Sequence, residues 1–116
     1  MTETSDILTS LLQRIVQGVV MFDSSRRLVV WNDQYEQLLN FPEGFLKVGV
    51  LNREMTFFLA KRGDFGPGDP QKITDRRHEL FWGQPASPSE LTVRGDKTYD
   101  MLFQRTDDGG LVITYT

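Results

Sequence analysis

The fold is decided by the stretch Gly18-Val-Val-Met-Phe-Asp-Ser-Ser-Arg-Arg-Leu-Val-Val-Trp-Asn32, in which two apolar runs flank five polar residues. Both runs are rich in the β-branched and aromatic residues that strands favour, and a short polar connection between such runs is typical of a β-hairpin. Asn32 follows the second run and is one of the preferred N-cap residues of helices. The stretch therefore predicts two antiparallel strands and the start of a helix.

Two helices are predicted between this stretch and the middle of the chain. The first follows Asn32, carries apolar residues at helical spacing from Tyr35 onward, and cannot continue through Pro42. The second spans about residues 51–62. Gly63 comes directly after it and suits the left-handed conformation that commonly terminates a helix.

A third helix has the clearest start in the chain. Asp69 is a suitable N-cap, and Pro70 stands at the first helical position, where its missing N–H group is not needed. This helix is predicted to run to about Trp82. The side chains expected to face the core are Ile73, Leu80 and Phe81.

The last part of the chain changes its apolar period from 3.6 to 2, as expected for half-buried strands. Alternating residues occur over 91–93, 99–103 and 111–115, with turn sequences at Gly95-Asp96 and at residues 107–110. Together with the first hairpin this gives five short strands around a helical block. The fold class is therefore α+β, with helices packed on one face of an antiparallel sheet.

The N-terminal residues 6–16 have a helical period whose apolar side chains cover about half of the helix surface. They form two rows, Ile7, Leu11 and Ile15, and Leu8, Leu12 and Val16. We expect an amphipathic helix over residues 1–17 and a core domain over residues 18–116. One row would cover the domain's own sheet and the other would form a dimer interface; in the alternative, the helix folds back and buries both rows.

Composition excludes several classes of protein. The chain of 116 residues has 13 basic and 16 acidic residues, a net charge of −3, and no cysteine. Disulfide frameworks, thiolate catalysis and Cys-ligated metals are thereby excluded, and an acidic chain is not expected to bind nucleic acid. Apolar runs of at most four residues predict neither a signal peptide nor membrane insertion in this segment.

The order of these elements and four sequence segments resemble a PAS domain, a sensory and interaction module of signalling proteins. The segments are Gly18-Val-Val-Met-Phe-Asp23, Arg27-Leu-Val-Val-Trp-Asn32, Arg62-Gly-Asp-Phe-Gly-Pro-Gly-Asp69 and Asp108-Gly-Gly-Leu-Val-Ile-Thr-Tyr-Thr116. The resemblance covers roughly residues 5–116. It implies a PAS-like five-stranded antiparallel sheet with an N-terminal flanking helix, and the Gly-Pro-Gly-Asp segment resembles a bacterial PAS subgroup with a lengthened central helical region.

This resemblance implies a cytoplasmic sensory module that regulates a fused or partner output domain of the histidine kinase or cyclic-dinucleotide enzyme type. The module would act through ligand or partner binding and dimerisation, with the output domain expected after Thr116. The alternative is a ligand-free protein–protein interaction or dimerisation module. A homodimer is expected under both interpretations.

The resemblance does not identify a cofactor, because PAS domains bind haem, flavins, organic acids or no ligand. The flavin and coumarate photoreceptor branches depend on a cysteine, so photochemical flavin is excluded in this chain. His78 is the only histidine. It lies about 115° from the centre of the apolar stripe predicted for its helix, so haem ligation is not expected.

Apolar and aromatic side chains between sheet and helices are the candidates for a ligand pocket, and the competing interpretation is plain core packing. The pocket candidates are Tyr35, Met55, Phe58, Met101 and Phe103. Asn32 is expected to be a structural cap at the edge of this pocket. No catalytic residues and no metal ligands are predicted, because no nucleophile elbow, paired carboxylates or calcium-loop spacing is present.

Overall fold

The computed structural model describes residues 7, 10–11, 14–83, 89–93 and 97–116, without the side chains of residues 89 and 90. In chain order its elements are β1 (Gly18–Phe22), β2 (Leu28–Trp31), α1 (Asp33–Leu39), α2 (Asn52–Lys61), α3 (Pro70–Trp82), β3 (Ser89–Val93), β4 (Lys97–Arg105) and β5 (Leu111–Tyr115). The predicted helix boundaries agree with these to within a residue or two. Gly63, after α2, has a φ of 91°, the left-handed conformation expected of it.

The five strands form one antiparallel sheet in the order β2-β1-β5-β4-β3. The first and last strands in the sequence, β1 and β5, are therefore neighbours in the middle of the sheet. Their pairing runs from Gly18–Tyr115 to Phe22–Leu111. β4 continues the sheet from β5, with Phe103 opposite Ile113. The predicted α+β fold, with its five-stranded antiparallel sheet, is confirmed.

The core lies between one face of this sheet and the helices. Alternate residues of the central strands are buried there, including Val20 and Ile113, neither of which is exposed to water. From the helices, Tyr35, Met55 and Leu59 pack against them. Burial of such side chains supplies most of the driving force for folding.

The buried face of α3 differs from the predicted one. Leu80, expected to face the core, is 56% exposed, whereas Thr74 is buried. Thr74 satisfies its hydroxyl by donating to the Pro70 carbonyl at 2.7 Å, and Arg77 is turned inward beside it. The prediction for Leu80 was wrong because two polar residues, which the apolar pattern assigns to solvent, occupy the inner face.

The end predicted for the N-terminal helix was also wrong. Ile7, Ser10 and Leu11 are helical, but Arg14 is in a turn, with its N–H donating to the Leu11 carbonyl at 3.1 Å. The helix ends before Val16 because the chain must already be extended where the Gln17 carbonyl accepts a hydrogen bond from the Asn32 side chain. Leu8 and Leu12 lie outside the described residues.

Candidate functional site

A small cavity lies between the inner face of the sheet and the three helices. Its volume is about 20 Å³. The residues that line it are Phe22, Tyr35, Leu39, Asn52, Met55, Thr56, Leu59, Phe65, Arg77, Phe81, Leu91 and Tyr115. A space of this size holds one water molecule, whereas sites for drug-sized ligands measure roughly 300–1,000 Å³.

The five pocket candidates separate into two groups. Tyr35 and Met55 line the cavity, whereas Phe58, Met101 and Phe103 do not. Phe58 packs against Phe45, with ring centroids 4.6 Å apart. The half-buried Phe103 instead makes an edge-on contact with the ring of Phe81 on α3.

The polar lining of the cavity begins with a pair of tyrosines. The rings of Tyr35 and Tyr115 have centroids 5.4 Å apart, and their two hydroxyls share a hydrogen bond. Burial raises the pKa of both phenols well above the usual range, and for Tyr35 the neighbouring Tyr115 raises it further. Both hydroxyls therefore stay protonated at neutral pH.

Arg77 is the charged member of the lining. Its guanidinium carbon lies 3.7 Å from the centroid of the Phe65 ring, a cation–π contact. Burial lowers the pKa of Arg77, and the facing Tyr115 opposes that change. Sequence reasoning missed both Arg77 and Tyr115. Arg77 could have been found from its helical spacing, since it lies three residues after Thr74 and four residues before Phe81.

Asn32 acts as a hub between elements and does not line the cavity. Its Oδ1 accepts hydrogen bonds from the backbone N–H groups of Val19 (2.9 Å) and Tyr35 (3.0 Å). Its Nδ2 donates to the Gln17 carbonyl at 2.8 Å, and the residue is completely buried. Asn32 is the N-cap of α1, since Tyr35, whose N–H group it accepts, is the third residue of that helix.

His78 lies at the border of the core, away from the cavity lining. Its Nε2 accepts from Arg26 Nη1 at 2.5 Å, because an arginine can only donate. Its Nδ1 is buried and has no hydrogen-bond partner among the described residues. Burial lowers the pKa of His78, and the positive charges of Arg26 and Arg53 lower it further, outweighing the attraction of Asp75.

Trp82 joins the same region to the sheet. Its ring meets the Phe22 ring edge-on at 6.2 Å, and its Nε1 donates to Asn52 Oδ1 at 3.0 Å. Trp82 is half-buried and packs against the core, because the inner face of α3 is rotated from the predicted one.

The described part of the N-terminal segment exposes its apolar side chains. The exposed fractions are 61% for Ile7, 55% for Leu11, 36% for Ile15 and 87% for Val16. Single exposed apolar residues are ordinary, but four in one short segment form a surface that a partner could cover.

Comparison with known families identifies the fold. A family model described as "PAS fold" matches residues 12–116. The chain belongs to the PAS fold family. PAS domains are typically non-catalytic sensory modules. No match was found among curated proteins.

Solved structures with the same PAS architecture come from several signalling proteins. A domain of a sensory box sensor histidine kinase/response regulator from Geobacter sulfurreducens has a TM-score of 0.56 at 14% identity, covering 97% of this chain and 92% of that one. The photoactive yellow protein domain of the sensor histidine kinase Ppr from Rhodospirillum centenum has a TM-score of 0.57 at 13% identity, with coverages of 97% and 96%. A Rhodobacter sphaeroides LOV protein has a TM-score of 0.51 at 17% identity, with coverages of 98% and 67%. At these identities the likeness concerns the fold.

Neither a membrane-spanning helix nor a metal-binding cluster occurs among the described residues of this PAS domain. None of its helices is long and apolar enough to cross a membrane. No group of three or more His, Asp or Glu side chains is placed to hold a metal ion in the described part of the chain.

Proposed function

We propose that this chain is the sensory module of a signalling protein and regulates a fused or partner output domain of the histidine kinase or cyclic-dinucleotide enzyme type. Its PAS fold supports this proposal, as do similar structures named as parts of sensor histidine kinases. We further propose a bacterial, cytoplasmic protein of the PAS subgroup with the Gly-Pro-Gly-Asp segment at residues 66–69.

The observation that carries the proposal is the exposed apolar surface of the N-terminal segment. Ile7 and Leu11 lie one helical turn apart and are both more than half exposed. Pairing two such segments would remove these side chains from water, and each buried side chain of this size contributes up to about 1.5–3 kcal/mol. We propose that two copies of the chain dimerise through this segment.

A short chain of contacts connects this segment to the cavity. Asn32 holds the Gln17 carbonyl at the end of the segment and the Tyr35 amide at the start of α1, and Tyr35 lines the cavity. The start of β1 is packed tightly on the same helix, since a Cβ added to Gly18 would lie 3.1 Å from the Tyr35 Cα. A change at the cavity that moves α1 would thus be passed to the N-terminal segment.

The second candidate function is a ligand-free interaction and dimerisation module. The volume of the cavity, about 20 Å³, favours this candidate, because a filled core leaves a protein partner as the input. Native mass spectrometry and an absorption spectrum of protein purified from cells separate the two functions. A retained mass or chromophore supports the ligand-dependent sensor, and an empty chain supports the interaction module.

Sedimentation of the domain tests dimerisation. We expect the unmodified domain to sediment as a dimer at tens of micromolar and a variant carrying Ile7→Glu and Leu11→Glu to sediment as a monomer. Leu80→Glu is the matched control, because Leu80 on α3 is 56% exposed, close to the value for Leu11. A monomeric unmodified domain, or a dimer that persists in the double variant, would refute the proposed interface.

A further inference from the structure

The turn between β1 and β2, at residues 23–27, is attached to α3 by the side chain of Arg26. Its Nη1 donates to His78 Nε2 at 2.5 Å, and its guanidinium carbon lies 5.1 Å from the centroid of the Trp82 ring. Both partners stand on α3 and are four residues apart, so they are neighbours on one face of the helix. One arginine therefore joins a turn of the sheet to the last part of a helix.

Arg26 makes these contacts from a backbone conformation that arginine rarely adopts. Its φ is 65°, in the left-handed region that favours glycine. The turn has hydrogen bonds of its own, from the Arg26 N–H to the Asp23 carbonyl and from the Arg27 N–H to Asp23 Oδ1. None of these involves the arginine side chain, so that side chain can leave α3 while the turn keeps its own hydrogen bonds.

The contact with Arg26 requires the neutral form of His78. An arginine has only donors, so Nε2 of the imidazole must offer a lone pair and the ring proton must lie on Nδ1. Nδ1 is buried and has no hydrogen-bond partner among the described residues, so the Arg26 contact is what selects this tautomer. Protonation of Nε2 would replace the acceptor by a donor and place two cations against each other.

The charged groups that face His78 come from each element packed against it. Arg26 approaches from the turn and Arg53 from α2, and both disfavour a charged imidazole, whereas Asp75 on α3 favours it. Asp75 is itself paired with Arg53. Burial and the two arginines prevail, so the pKa of His78 lies below its usual value of 6.5. Because the contact with Arg26 is exposed, protons reach the ring from water as the solution becomes acidic.

We propose that protonation of His78 releases the Arg26 side chain from α3, which makes this junction a pH-sensitive switch. The inference rests on the proposed sensory function, for which it names a proton as an input. The release would extend beyond the turn, because the Arg26 carbonyl accepts from the Asn52 N–H at 2.8 Å and Asn52 Oδ1 accepts from Trp82. Asn52 begins α2 and lines the cavity, so it links the turn and α3 to the core.

NMR of the unmodified domain between about pH 8 and about pH 5 tests the switch. His78 is the only histidine, so its ring signals are unambiguous. We expect the Trp82 indole signal to move with the same midpoint as the imidazole, below pH 6.5, and the nuclear Overhauser contacts between Arg26 and the Trp82 ring to disappear. A ring that stays neutral throughout, or contacts that persist when the ring is charged, would overturn the proposal.

Two variants separate the release of Arg26 from the effect of the imidazole charge itself. In Arg26→Gln, His78 should titrate at a higher pH, because one of the two arginines that oppose its charge is gone, and the Trp82 signal should hardly move. Arg27→Gln is the matched control, since Arg27 donates to the Gly49 carbonyl, and it should behave like the unmodified domain. Movement of the Trp82 signal in Arg26→Gln as large as in the unmodified domain would refute the release.

If Arg26→Gln does not fold, the Overhauser contacts of the unmodified domain decide alone. Sedimentation at neutral pH reports on dimerisation separately. Failure of the proposed function and failure of this switch are therefore distinguishable.

Discussion

Replacement of Asn32 by alanine tests whether this residue holds three parts of the domain together. The substitution removes two accepted hydrogen bonds, from Val19 and Tyr35, and one donated bond, to Gln17. Because Asn32 is completely buried, water cannot replace these bonds without opening the junction between β1 and α1.

The size of the effect follows from the groups left behind. Loss of a helix N-cap costs about 1 kcal/mol, and a buried N–H group without a partner, here that of Val19, costs about 1–3 kcal/mol. The Gln17 carbonyl adds little because Gln17 is exposed and can turn to water. We expect a loss of about 3 kcal/mol in the free energy of unfolding, equivalent to a fall of about 10 °C in Tm.

Urea titration followed by tryptophan fluorescence measures this loss, with Asn32→Ser as the matched control. Serine is a good N-cap but is too short to reach both Val19 and Gln17, so we expect it to recover about 1 kcal/mol of the alanine loss. If Asn32→Ala lowers the free energy of unfolding by only about 1 kcal/mol and Asn32→Ser leaves it unchanged, helix capping alone accounts for the stabilising effect of Asn32. The role of Asn32 as a hub would then be refuted.

Three further outcomes are expected. In urea titrations, Phe58→Ala should lower the free energy of unfolding by about 3 kcal/mol and Phe57→Ala by less than about 1.5 kcal/mol. The reason is that Phe58 packs in an aromatic cluster whereas Phe57 is 36% exposed. Equal losses would contradict this packing. The pKa of His78 is lowered in the folded protein, so just below pH 6.5 the unfolded chain binds more protons than the folded one. Stability should therefore fall as the pH drops through that region, and it should fall less in His78→Gln. Urea titrations at several pH values measure this difference. Because the folded pKa values of Tyr35 and Tyr115 are raised, stability should fall above about pH 10, and absorbance at alkaline pH should show two of the three tyrosines ionising only with unfolding.

The strands could be predicted because their local pattern and their tertiary surroundings agree. In β5, Leu111, Ile113 and Tyr115 alternate with polar or less buried residues, and all three are buried in the sheet. Asn32 and Gly63 could be predicted for a similar reason, since backbone geometry at a helix end restricts which residues fit. The order of the strands in the sheet could not be predicted from the residues, because the pairing of β1 with β5 is not a local property.

The cavity could be predicted only in part. Tyr35 and Met55 have the helical spacing of core residues and do line it. Phe58 has the same spacing but contacts Phe45 at the side of the core, a distinction that depends on how the helices are placed. The sequence pattern indicates no more than an ordinary strand residue at Tyr115, because nothing in β5 alone shows that its hydroxyl meets that of Tyr35.

Helix α3 departs from its apolar pattern at the position of the candidate site. Turning Leu80 inward in place of Arg77 would bury more apolar surface and spare the desolvation of a charge, so packing alone favours the face that the pattern predicted. The observed face instead buries Thr74, whose hydroxyl is satisfied within the helix, and places Arg77 at the cavity, with its guanidinium against the Phe65 ring. The exposed Leu80 and the inward Arg77 are thus two consequences of one choice of helix face.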